Sequence, residues 1–558
     1  MAWYDEAVFY HIYPLGALGA PKENDYGEPV HRLRELSEWI PHLKKMHFNA
    51  LYIGPLFESV GHGYETTDYK KLDSRLGTNE DLTEFVKECH ENGIKVILDG
   101  VFNHTGRDFF AFKDIKENRE NSPYRDWSCN VNFYGNNEYN DGFSYDNWGG
   151  YNLLVKLNQR NPAVQDYICN VIRFWVETFD IDGIRLDAAD VLDFDFMKAL
   201  RRTADSVKPD FWLMGEVIHG DYSRWANEST LHSVTSYALH KGLYSGHNDH
   251  NYFEIAHTVK RNFDMVPANI RLYNFVDNHD VERIMTKLSE KANYTPVNIL
   301  LYTLPGIPSV YYGSEFGIEG KKEKSSDASL RPKIDISEYK NAVEENPCTA
   351  LLERLGDIHF KYKDLSYGNY RELSLTTEQF AFARGEMIIA VNNVSHEAHL
   401  NVEAHHESYT ALLSGKKVSS NGGRLDITLS GNSGEIFAPD SALDKKEETF
   451  KNVLPKEEPK PKNEQKEEPK PEAKTESKTE SKTEPKAEPK AAPKAEAMTT
   501  PKEVLIPEGI PYSEMSVEQL QEVILSKMAK NGPVTDRMRR DVLENIWHDS
   551  LVKWAESF

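Results

Sequence analysis

From residue 8 to about 320, short apolar runs recur between longer stretches whose apolar residues return every three or four positions. The strand-like runs are Phe9–Tyr13, Ala50–Ile53, Val96–Leu98, Gly183–Leu186, Phe211–Met214, Leu272–Val276 and Ser309–Tyr312, with a weaker one at Ser233–Ser236. Helical stripes lie between them: Leu33, Leu36, Ile40 and Leu43; then Leu82, Phe85, Val86 and Cys89; then Val164, Ile168, Val171, Ile172 and Trp175. The second stripe follows Thr78, a residue type that caps helix starts, and stops at Gly93, which suits a helix end. Strands alternating with helices make parallel βαβ units, and eight of them predict a closed (β/α)8 barrel over residues 1–365.

Between about residues 104 and 157 the helical pattern fails, and polar, aromatic and glycine residues accumulate, predicting an inserted loop domain after the third strand. Over 366–440 the pattern shortens to alternating runs such as Phe380–Arg384, Met387–Val391 and Leu425–Leu429, predicting an antiparallel β-domain. Residues 441–503 are nearly all Lys, Glu, Pro, Ala, Thr and Ser. A segment so poor in apolar residues cannot offset its ordering entropy and reads as a disordered linker. Residues 504–558 read as a small helical module: a helix opening at Ser516 with Val517, Leu520, Val523, Ile524 and Met528 on one side, closed by Asn531-Gly532-Pro533, and a second from about Asp536 to Trp554. Its two readings are a self-packed hairpin and a tethered module docking a protein partner.

A formal net charge of -23 disfavours nucleic acid and anionic membrane as partners. Cys89, Cys129, Cys169 and Cys348 show no CxxC or zinc-ligand spacing, so reduced thiols are expected. No apolar run reaches about 18 residues and no leader pattern opens the sequence, which points to the cytoplasm.

Carboxylates are scarce in barrel strands, so an acid directly after an apolar run is informative. Four strands end this way: Val96–Asp99, continuing to Asn103-His104; Gly183–Asp187, which includes Arg185; Phe211–Glu216; and Asn274–Asp280, which includes His279. In a (β/α)8 barrel these ends meet on one face. Carboxylates gathered there suit acetal cleavage, where the leaving oxygen needs a proton and the cationic centre an anion. Metal-assisted hydrolysis, with Asp99, His104, Asp187 and His279 as ligands, is the alternative. Arg185 disfavours it, because a fixed cation would sit beside the metal, whereas beside Asp187 it keeps the carboxylate ionised.

Asp99–His104, Gly183–Asp187, Gly215–Val217 and Phe275–Asp280 resemble the four sequence regions of the α-amylase family, glycoside hydrolase family 13, over roughly residues 5–440. The resemblance implies a retaining α-glucan hydrolase. Asp187 would be the nucleophile, Glu216 the general acid/base and Asp280 the residue steadying the distorted sugar. His104, Arg185 and His279 would hold that sugar, with Asp99 beside them. Gly63–Tyr69 resembles the family's tyrosine-bearing loop, which adds Tyr64, as a stacking platform, and Asp68; Arg283 matches an arginine that contacts substrate.

Leu154–Asn158 is similar to the fifth family region, in the Lys-Leu-Asn form of neopullulanases, cyclomaltodextrinases and maltogenic amylases, with Val155 in place of proline. Lys156 thereby joins the substrate-binding set. Those relatives carry an N-terminal β-sandwich used in dimerisation; here the barrel begins almost at residue 1, so that route is not expected. Starch-acting α-amylases continue after the nucleophile with Lys-His, where this sequence has Asp190-Val191. No cofactor is expected to be required; Asn103 matches a family calcium ligand and is the one metal candidate. The substrate implied is a malto-oligosaccharide, cyclodextrin or related α-glucan, cleaved at α-1,4 and also α-1,6 bonds. The alternatives are a starch-acting α-amylase, an α-glucan transglycosylase, and a carbohydrate-binding protein on an inactive barrel.

Overall fold

The computed structural model describes residues 2–324, 326–442, 515 and 517–531. Eight parallel strands form the barrel: β1 (Phe9–Ile12), β2 (Ala50–Ile53), β3 (Lys95–Gly100), β4 (Gly183–Leu186), β5 (Trp212–Gly215), β6 (Ser233–Val234), β7 (Tyr273–Phe275) and β8 (Ile307–Tyr311). They neighbour one another in the order β6-β5-β4-β3-β2-β1-β8-β7. A single bridge between Thr235 and Tyr273 closes the ring.

Side chains alternate across each strand, so one set fills the barrel and the other meets the helices. The inward set is layered. Phe9, Ala50, Ile97, Trp212, Tyr273 and Ile307 pack as an apolar plug around the strand starts. One step further along, the registers place His11 opposite Tyr52, and Asp99 opposite Arg185. The interior thus changes from hydrocarbon to charge within one strand length, and the charged layer faces the C-terminal ends.

The outward set, including Tyr10, Leu51, Val96, Leu98, Ile184 and Leu213, packs against the helices. Asn79–Glu91 forms the helix expected after Thr78: the Thr78 amide donates to Asp81 Oδ2 at 2.8 Å, closing a capping box. Gly93, at φ +75°, takes the left-handed conformation past its end. The stripe Leu33–Leu43 is buried but is not one α-helix. Arg32–Trp39 is a 3-10 helix and Ile40–Lys45 an α-helix, with Pro41 in the first turn of the latter. Proline cannot donate to a preceding carbonyl, so α-helical bonding restarts there.

The insertion after β3 is more ordered than its sequence suggested. His104–Thr105, Asn147–Trp148 and Tyr151–Lys156 make a three-stranded antiparallel sheet, and Phe110–Asn118 is a helix. Phe112, Ile115, Phe143, Tyr145 and Val155 form its small core. A nine-residue helix with three buried positions leaves too brief a period to read from sequence.

Eight antiparallel strands between Tyr370 and Pro439 build the β-domain, in one six-stranded and one two-stranded sheet. The buried Arg384 guanidinium joins it to the barrel through the carbonyls of Thr303, Leu365 and Gly368. The residues expected to form the linker lie outside the described set. Of the expected tail helices, Val517–Asn531 is described, whereas Asp536–Trp554 lies outside. No described helix is long and apolar enough to cross a membrane.

At the barrel's lower rim, Asp182 is 1% exposed and accepts from the Val96 amide at 2.9 Å, His90 Nε2 at 2.6 Å and Lys95 Nζ at 2.9 Å. Burial alone would raise its pKa; the hydrogen bonds from His90, Val96 and Lys95 prevail and hold it well below the usual range. Folding therefore makes Asp182 more acidic than in the unfolded chain, whose value is about 3.9. Its stabilisation is fully present above that value and is lost as pH falls below it. Asp182→Asn should cost about 3 kcal/mol at neutral pH. Urea titrations of both proteins should show this gap closing between about pH 5 and pH 2; a constant gap would mean the ionised form contributes nothing.

Candidate active site

One guanidinium organises the upper layer. Arg185 Nη1 donates to Asp99 Oδ1 at 2.9 Å and Asp187 Oδ1 at 3.0 Å, while Nη2 meets Glu216 Oε2 at 2.8 Å. Strand parity places it there: Arg185 and Asp187 are two residues apart and both face inward. The Asp187 amide donates to Gly100 O and the Glu216 amide to Leu186 O, fixing both acids just past their strands. Gly54 leaves room for Asp99, since a Cβ at Gly54 would stand 2.5 Å from the Asp99 Cβ.

Tyrosines complete the hydrogen bonds around these acids. Tyr52 donates to Asp99 Oδ2 at 2.8 Å, as does Tyr64 at 3.2 Å, and Tyr237 donates to Glu216 Oε1 at 3.2 Å. The Ala188 amide reaches Glu216 Oε2 at 3.2 Å, from a residue at φ 45°, ψ 44°. Left-handed backbone costs a non-glycine residue about 1–2 kcal/mol; here it turns the amide after Asp187 toward the neighbouring acid.

Burial raises the pKa of both Asp187 and Glu216 above the usual carboxylate range. Arg185 opposes that rise, while the surrounding carboxylates add to it. With one central cation among three acids, the two carboxyl groups titrate as a unit. The histidines are held neutral. His104 is lowered by burial to about 3, and His279 lies well below its ordinary value through burial and the charges of Arg331 and Arg185. Among the described residues, buried His104 Nε2 and His279 Nδ1 have no hydrogen-bond partner.

Asp280 stands at the rim, its Oδ2 3.1 Å from His279 Nε2. Tyr64 bonds to His279 Nε2, and its ring lies at 11° to that imidazole with centroids 5.7 Å apart. Lys156 pairs through its backbone with His104 and borders a groove shared with Val191, Leu192 and Asp193, just past the nucleophile candidate. Asn103 is buried on the insertion side: its Nδ2 contacts His104 Nδ1 at 3.2 Å and its Oδ1 accepts from Gln159 at 3.4 Å. Among the described residues, no three His, Cys, Asp or Glu side chains converge as a metal-binding group.

The family profile for the alpha amylase catalytic domain matches residues 27–413. The chain belongs to the α-amylase family. A maltogenic α-amylase of Bacillus acidopullulyticus is 33% identical over 341 residues, 58% of each chain. A cyclomaltodextrinase of Thermoanaerobacter pseudethanolicus is 31% identical over 421 residues, 70% of this chain and 71% of its own. Among solved structures, a debranching enzyme of Nostoc punctiforme aligns with a TM-score of 0.67 at 27% identity, covering 78% of this chain and 98% of its own. The chain thus spans little over half of the Bacillus relative.

In this α-amylase-family barrel, two expected substrate contacts are absent from the site. Asp68 is exposed on the strand Thr66–Leu72, where its Oδ1 accepts from the Lys70 amide in a separate surface groove with Tyr26 and Lys71. Its neighbours Thr67 and Tyr69 are buried, while Asp68 lies opposite Glu58, where the strand pairing shifts register. Arg283 is fully buried, its guanidinium donating to the carbonyls of Tyr312 and Leu330 and lying 4.1 Å over the Tyr311 ring, where it braces the loops after β7 and β8.

Arg331 takes the rim position instead. Nη2 contacts Asp280 Oδ1 at 3.1 Å, Nε donates to His279 O at 3.1 Å and Nη1 to the Tyr13 hydroxyl at 3.3 Å. Neither Arg331 nor Tyr237 follows an apolar run with a motif, so sequence reasoning had no signal for them; Tyr52 looked like an ordinary strand aromatic.

Arg185→Lys keeps one positive charge but cannot span three carboxylates. The expected result is at least a 100-fold fall in kcat/KM, about 2.7 kcal/mol, with the acidic limb of its pH profile moved upward because a single ammonium cannot stand against Asp187 and Glu216 together. An unmoved acidic limb would show that their ionisation does not depend on this contact.

Proposed function

We propose that the protein is a retaining α-glucan hydrolase, cleaving α-1,4 and also α-1,6 bonds of malto-oligosaccharides, cyclodextrins or related α-glucans by double displacement. The observation that carries this reading is the shared guanidinium: Asp187 and Glu216 sit, buried, on two nitrogens of Arg185. The microstate suited to glycoside cleavage puts the charge on Asp187 and the proton on Glu216. Asp187 attacks the anomeric carbon as Glu216 protonates the leaving oxygen. Glu216, now ionised and bonded by Tyr237 and the Ala188 amide, then takes a proton from water, which displaces Asp187. Asp280, His104 and His279 would bind the sugar's hydroxyls, with Tyr64 at its face. The maltogenic, cyclomaltodextrin-cleaving and debranching activities named for the relatives support this substrate range. We place the reaction in the cytoplasm, a compartment in which four free thiols remain reduced.

Proton NMR of fresh maltohexaose digestion tests the reading, with Glu216→Gln as control. The α-anomer of maltose or glucose should appear first, and not in the control. Early β-anomer would exclude retention, and no cleavage by the folded wild type would remove α-glucan as substrate.

We further propose that segment 504–558 docks the enzyme to a protein partner; support comes from the helix Val517–Asn531 beyond a Lys/Glu/Pro-rich stretch. Deleting residues 441–558 should leave kcat on maltotriose within about twofold, ~0.4 kcal/mol. A tenfold loss would tie the segment to catalysis instead.

A further inference from the structure

The loop between the strands Phe57–Ser59 and Thr66–Leu72 carries Tyr64 to the site, and it is pinned along its length. Gly61 O accepts from Arg75 Nη1 at 2.7 Å, and His62 O accepts from the Tyr13 hydroxyl. Gly63 runs at φ +100°, where a Cβ would stand 2.3 Å from Pro55 Cγ, so only glycine fits the turn into Tyr64. His62 has no part in the reaction proposed above, yet its side chain is 52% exposed on this rigid loop. Its Nε2 lies 3.2 Å from Glu65 Oε1, on a carboxylate only 3% exposed. Among the described residues no other donor reaches that carboxylate, and a buried carboxylate needs one. The contact therefore keeps the ring proton on Nε2. It leaves Nδ1, which has no hydrogen bond among the described residues, as an acceptor.

Its surroundings place this ring at the mouth of the site. The His62 and Tyr64 ring centroids are 5.8 Å apart. The Tyr13 hydroxyl that holds the His62 backbone also accepts from Arg331 Nη1, so the rim runs unbroken from Asp280 through Arg331 and Tyr13 to His62. A positive charge on His62 acts on both histidines of the sugar pocket, lowering His104 and His279. The direction follows from Arg185. Tyr64 bonds Asp99, which sits on Nη1, whereas Glu216, which serves the leaving group, takes Nη2. A glucan chain passing Tyr64 toward His62 therefore leads away from the bond being cut. We propose that His62 is a further substrate-binding residue. Its Nδ1 accepts from a hydroxyl of the second glucosyl unit, the one joined to the sugar at Tyr64 on the side away from the leaving group, and Glu65 is its positioning residue. This rests on the α-glucan reading above.

The test is release of 4-nitrophenol by the full chain from two substrates. From 4-nitrophenyl α-maltoside, release requires two glucosyl units on that side of the bond; from 4-nitrophenyl α-glucoside it requires one. In His62→Ala, kcat/KM for the maltoside relative to the glucoside should fall at least about fivefold, the effect of one hydrogen bond. The loss should lie in KM, since the contact is made equally in the ground and transition states. Glu65→Leu should lower the same ratio, and Glu65→Gln, which keeps an oxygen acceptor for Nε2, should restore it. A ratio in folded His62→Ala within about twofold of the wild type would overturn the proposal, as would a loss carried by kcat. A wild type that releases no nitrophenol from either substrate would remove the α-glucan reading itself, and this assignment with it.

Discussion

One buried guanidinium among three acids is the constraint on which the upper half of this molecule depends. Removing charges from water is costly, and the cost is met only where geometry and hydrogen bonding are both good. Arg185 supplies the cation; Tyr52, Tyr64, Tyr237 and the Ala188 amide supply the remaining donors. The apolar plug of Phe9, Trp212 and Tyr273 beneath excludes water from below and strengthens every electrostatic contact above it. The same layering that completes the barrel's core therefore sets the proton inventory of the site.

The elements that could be read from sequence were those whose signal is local. All eight barrel strands appear within a few residues of their apolar runs, and the acids at their ends converge because the register of a parallel barrel leaves them nowhere else to go. Asp68 and Arg283 failed for a shared reason: a residue can sit at a motif's position while strand pairing or a loop's course turns its side chain elsewhere. Arg331 was hidden because it comes from an irregular segment, which has no period to betray which way a side chain points, and Tyr237 because it opens a helix just past a two-residue strand. The helix Phe110–Asn118 was too short to show one.

The two ends of the barrel solve opposite problems. At the upper end, buried nitrogens of His104 and His279 lack hydrogen-bond partners among the described residues. At the lower end, Asp182 gathers His90, Lys95 and Lys208 into a satisfied ion cluster. Polar groups at the lower rim are thus mostly spent on holding strands together.

The ring of strands has a seam. It closes at the bridge of Thr235 with Tyr273, where the Ser236 amide donates to Tyr273 O; the Thr235 amide donates to Gly215 O, and its hydroxyl accepts from the Val217 amide at 2.9 Å. That amide follows Glu216, so the thinnest part of the cylinder and the aim of the acid share one residue. A displacement of the seam would therefore reach the Glu216 backbone through a single hydrogen bond.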